Sequence, residues 1–109
     1  MEKYSLVALG RLQLATARQT TSGRGSKTVY GGHEHALRQT VIAMVAGQGL
    51  QEHENPGEAT VHVLEGRVEL SAGDVVWNGS PGDLLIVPRS RHALAAIEDS
   101  VVLLTVAMT

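Results

Sequence analysis

The stretch from Gly47 to Gly66, GQGLQEHENPGEATVHVLEG, constrains the fold more than any other part of the chain. It opens on a Gly-rich turn and then sets His53 and Asn55 two residues apart. On an extended strand that spacing directs both side chains to one face. Asn55-Pro56-Gly57 reads as a turn, because proline fixes one backbone angle and glycine tolerates the next. Ala59 to Leu64 is a β-rich run that stops at Glu65-Gly66. A strand, a polar pair, a tight turn and a return strand make one wall of a pocket. His62 falls one step off Val61 and Val63, so it belongs to the opposite side as a surface or interface histidine.

The flanking sequence repeats this grammar. Leu37 to Val45 alternates as a strand, with Leu37, Gln39, Val41, Ala43 and Val45 on one face. Both faces turn apolar past Thr40, as in a strand covered on both sides. Gln39 is then a polar group on an apolar face, lining a pocket or satisfying a neighbouring backbone group. Ser71-Ala72-Gly73-Asp74 is a hairpin turn between Arg67–Leu70 and Val75–Trp77. A turn at Asn78–Asp83 precedes a buried-looking strand, Leu84–Val87. Ala93–Ile97 and Val101–Ala107 complete the set, the last read as fully buried.

Seven or eight short strands, with turns at intervals of about ten residues, define an all-β sandwich or jelly roll. Ahead of them, residues 4–18 predict a short helix carrying Leu6, Leu9 and Leu12, capped by Ser5. Gln19 to Lys27 is polar and turn-forming, giving an arm and linker over residues 1–27 and a barrel over residues 28–109. His33 and His35 have ligand-like spacing, but in TVYGGHEH they read first as a solvated loop.

Composition narrows the function classes. Aromatics are 3% and Phe is absent, so Val, Leu, Ile and Ala must fill the core. A net charge of −2 without a basic run is no footprint for nucleic acid. With no cysteine, disulfides and thiol nucleophiles are excluded. The apolar runs are far shorter than a membrane span, and cytoplasmic location is the default reading.

The chain resembles the cupin superfamily over roughly residues 37 to 107. Gly47, five residues, His53, one residue, Asn55, three residues, Ala59, six residues and Gly66 keep the spacing of its first motif. Asn55 stands where the family has a second His, and Ala59 where it has a Glu. Gly82-Asp83-Leu84-Leu85-Ile86-Val87-Pro88, closing on His92, is similar to the second motif, one residue short and without its Gly. The resemblance implies a double-stranded β-helix of the cupin jelly-roll kind, with a short N-terminal helical arm.

It also implies that His53 and His92 project into the barrel as metal ligands. Two imidazoles need a third donor to hold a metal firmly. Glu58 neighbours the expected carboxylate position; strict alternation turns it outward, and a bulge at Asn55-Pro56-Gly57 would bring it in. His53, His92 and Glu58 would then hold one divalent transition metal. The other reading has no cofactor, with His53, Asn55, Gln39 and His92 as hydrogen-bonded pocket groups. Arg89 and Arg91 flank His92, as a solvated face or as an attraction for an anionic ligand.

The function expected is therefore a small single-domain cupin binding a small molecule in the barrel. The alternatives are a metal-dependent oxygenase or isomerase using His53 and His92, and a partner-binding scaffold. Whether the chain catalyses a reaction stays open. A homodimer through sheet faces is expected in each case.

Overall fold

Ser5 opens the helix α1 (Leu6–Gln19): it is extended, and its hydroxyl oxygen accepts from the Ala8 N–H at 3.2 Å. This is the cap that the sequence predicts, satisfying one of the first-turn donors. The helix buries Gly10, Leu14 and Ala17 against the first sheet. Gly10 faces Val101 so closely that a Cβ there would lie 3.0 Å from a valine methyl. Its cost to helix propensity of about 1 kcal/mol is thus offset by closer helix–sheet contact.

The computed structural model describes residues 1–53 and 57–107, with the backbone alone at residues 52 and 53. Nine strands follow the helix among the described residues: β1 (Arg24–Tyr30), β2 (Leu37–Met44), β3 (Gly49–His53), β4 (Glu58–Glu65), β5 (Val68–Ala72), β6 (Val75–Gly79), β7 (Leu84–Val87), β8 (His92–Ala96) and β9 (Ser100–Ala107). They form two antiparallel sheets, ordered β1-β2-β9-β4-β7 and β3-β8-β5-β6. This is the expected jelly roll with an N-terminal helix. β1 begins at Arg24, so it takes in Arg24–Lys27, which the polar pattern assigns to the linker. Strands need no apolar run when one face is open to water.

Period-2 alternation divides the first sheet into an inner and an outer face. Ile42, Met44, Ala59, Val61, Val63 and Val102 turn inward and meet Val68, Leu70, Leu94 and Ala96 of the second sheet. Val41, Ala43 and Val101 turn outward to Leu14 and Ala17 of α1. Burying each large aliphatic side chain contributes about 1.5–3 kcal/mol, so the two faces of β2 hold the helix and the barrel together.

Two strands are less buried than their composition indicates. Leu84 and Ile86 are 57% and 61% exposed, because α1 covers β1 and β2 and leaves the outer face of β7 uncovered. In β9 only Ser100, Val101 and Val102 are buried, and the residues from Leu103 to Ala107 are half-buried. Uniformly apolar strands carry no signal of which face is open.

The turn between β4 and β5 is fixed by Gly66, at φ 82°, where a side chain would strike Asp99 and Ser100. The buried Ser100 hydroxyl accepts from the Arg67 N–H at 3.0 Å and donates to the Glu98 carbonyl at 2.7 Å. Asp99 ties the same corner to the helix. Its carboxylate accepts from the Ala46 N–H at 2.9 Å and from Arg18 at 2.9 and 3.1 Å.

Candidate functional site

One end of the barrel is built by the β5–β6 turn, the β7–β8 loop and the start of β4. Leu70 is opposite both Leu94 and Trp77 in register, so the indole shares the inward face of Leu70. Trp77 is nevertheless 43% exposed, because the barrel is open here. Leu70, Ala72, Val75, Trp77, Pro88 and Ser90 enclose a cavity of about 180 Å³. Its walls are almost wholly apolar. Leu70/Ala72 and Val75/Trp77 each alternate toward one face, which is the sequence signal that locates them.

His92 lies at the same end, buried at the start of β8. Its Nδ1 is 2.9 Å from the Ser90 carbonyl oxygen. A carbonyl only accepts, so Nδ1 carries a proton and donates to it. Ser90, a cavity residue, therefore orients the histidine.

The backbone of His53 pairs with His92 in register, after an irregularity between Leu50 and His53. The two motif histidines are thus cross-strand neighbours in the chain path. Asn55 lies outside the described residues.

Ala59 and Glu58 settle the carboxylate position. Ala59 is buried between Val87 and Val106 in the barrel core. Glu58 pairs with Ala107 and is exposed, so β4 keeps strict alternation. Asn55 and Pro56, where a bulge would turn Glu58 inward, lie outside the described residues, and Glu58 itself is exposed. No group of three His, Cys, Asp or Glu residues able to hold a metal occurs among the described residues. Among the described residues, the donor set falls short of the three that hold a metal firmly.

Gln39 is placed away from the barrel. It shares the outward face of Val41, and its amide donates to the Thr105 hydroxyl at 3.3 Å. There it lines a second, wider cleft of about 900 Å³ between residues 1–6 and the outer face of β1, β2 and β9. His35 lines this outer cleft too, 3.4 Å from the Tyr30 hydroxyl. His33 and His35 are both exposed in the β1–β2 loop, as the solvated-loop reading expects. His62 is half-buried on the outer face of β4, opposite in sense to Val61 and Val63. Arg89 and Arg91 are exposed beside His92.

A family model for the cupin domain matches residues 40–108. The chain is a cupin. Solved structures agree with that assignment. An RmlC-like cupin protein from Desulfovibrio desulfuricans is 30% identical, with TM-score 0.67 over 77% of this cupin and 81% of that chain. A conserved protein of unknown function from Streptococcus pyogenes is 27% identical, with TM-score 0.73 over 83% and 78%. A cupin superfamily protein from Desulfitobacterium hafniense, 20% identical with TM-score 0.72 over 79% and 78%, shares the fold. No curated protein matches the chain.

Proposed function

We propose that this cupin binds a small, predominantly apolar molecule at the open end of its barrel. The observation that carries this reading is the cavity between Trp77 and Pro88, which is lined by hydrocarbon and an indole. Ligand sites of this kind pair apolar walls with a few placed polar groups. Ser90 lines the cavity, and the buried His92 is held beside it by a hydrogen bond to the Ser90 carbonyl. A ring-bearing ligand would lie against Trp77 and direct a hydrogen-bonding group toward them.

A metal-dependent reaction is the second reading, supported by the register pairing of His53 with His92. Those two residues would supply imidazole nitrogens. With Ala59 inside and Glu58 outside, a third protein donor is not among the described residues. Homodimerisation belongs to the same proposal, supported by the exposed apolar row of Leu84 and Ile86 on β7. A cytoplasmic location is proposed with it; no described helix is long and apolar enough to cross a membrane.

The test is a thermal-shift screen of neutral ring-bearing fragments against anionic fragments and divalent metals, with each hit repeated on Trp77→Leu. The proposal expects neutral fragments to raise the melting temperature of wild type and not of the variant. Stabilisation by metal alone, lost in His92→Ala, would favour the second reading.

A further inference from the structure

We propose that the outer cleft, separate from the barrel, is a second binding site for a small organic cation with an apolar body, an alkyl- or arylammonium. The chain has only two tyrosines and no phenylalanine, yet Tyr4 and Tyr30 both line this cleft. Each ring is nearly half exposed, at 46% and 48%, so its surface is not spent on the core.

Each ring has a neighbour. The Tyr4 hydroxyl donates to the Glu2 carboxylate at 2.7 Å. Tyr30 packs on His35 with ring centroids 4.8 Å apart. The floor is apolar, with Leu6 of the helix and Leu103 of β9.

Charge selects the occupant. Glu2 and Glu34 both line the cleft, and no Lys or Arg side chain does so among the described residues. An anion would meet two carboxylates with only the Met1 α-ammonium to receive it. An ammonium group meets carboxylates and two exposed aromatic rings, the combination that recognises organic cations. The volume of about 900 Å³ lies within the range of small-molecule sites.

The experiment is a two-dimensional NMR titration of the full chain with benzyltrimethylammonium, with phenylacetate as the anionic counterpart. The proposal expects saturable shifts at the amides of Tyr30, His35 and Gln39, with the Trp77 indole N–H unmoved. Glu34→Gln and Tyr30→Leu, both at exposed positions, should each weaken binding about fivefold while keeping native signal dispersion. Phenylacetate should give no saturable shift. Four results would overturn the proposal: no saturation at millimolar probe, equal binding of phenylacetate, shifts centred on Trp77, or unchanged affinity in both variants. Shifts of the same amides on dilution without probe would assign the cleft to a second copy, and would overturn it as well.

Discussion

Replacing Ala59 with glutamate restores the residue type that the cupin motif has at that position, and here it would enter a dry core. Ala59 is 5% exposed and flanked in register by the core residues Val87 and Val106. A buried unpaired carboxylate costs several kcal/mol even after relaxation. Added volume in a packed core costs about 1–3 kcal/mol more. The nearby opening offsets part of this, leaving a net loss of about 3–5 kcal/mol at neutral pH.

At about 4 °C per kcal/mol for a domain of this size, the melting temperature should fall by about 12–20 °C. The neighbouring Glu58→Ala, at an exposed position, should change stability by no more than about 0.5 kcal/mol. Burial raises the pKa of the new carboxyl, so its penalty belongs to the ionised form. That penalty is present in full above the raised value and shrinks as pH falls toward the ordinary carboxylate range. Thermal melts followed by circular dichroism at neutral and mildly acidic pH measure both effects. If Ala59→Glu melted with Glu58→Ala and wild type, the inward assignment of Ala59 would be refuted.

Three further outcomes follow from the same geometry. Leu70→Ala, at a site 2% exposed, should cost about 2–5 kcal/mol in urea unfolding. Gly49→Ala would drive a Cβ into the Leu94 carbonyl, so NMR should show β3 displaced from β8 while the first sheet keeps its protected amides. The Asp99 carboxyl is held below its ordinary value of 3.8, first by the Ala46 N–H and then by Arg18. Its contribution is present above that ordinary value and is lost as pH falls through the lower folded value. Asp99→Asn should therefore be less stable than wild type at neutral pH, with the two acid-unfolding curves converging below 3.8.

The barrel was legible because its strands alternate and its turns carry glycine at positions such as Gly66 and Gly73, both with left-handed φ. Ser5 announced the helix in the same local way. Faces of uniformly apolar strands were not legible. Leu84–Val87 reads as buried, but its outer row depends on how far α1 extends across the sheet, which is a tertiary fact.

Gln39 failed for a related reason. Alternation gave its face correctly, shared with Val41 and Ala43, but could not say that this face meets the helix and not the barrel. Glu58 followed the simplest rule available, strict alternation along β4. Trp77 and Ser90 were hidden because their importance comes from closure of the barrel end, which brings two loops distant in sequence together.

The central claim, an apolar ligand chamber at the open end of the barrel, is tested most directly by fluorescence of the chain's single tryptophan, which lines that chamber. Neutral ring-bearing fragments should shift or quench Trp77 emission saturably, with unchanged affinity in the presence of a chelator. Emission that ignores every such fragment, yet responds stoichiometrically to a divalent metal in wild type and not in His92→Ala, would contradict the claim.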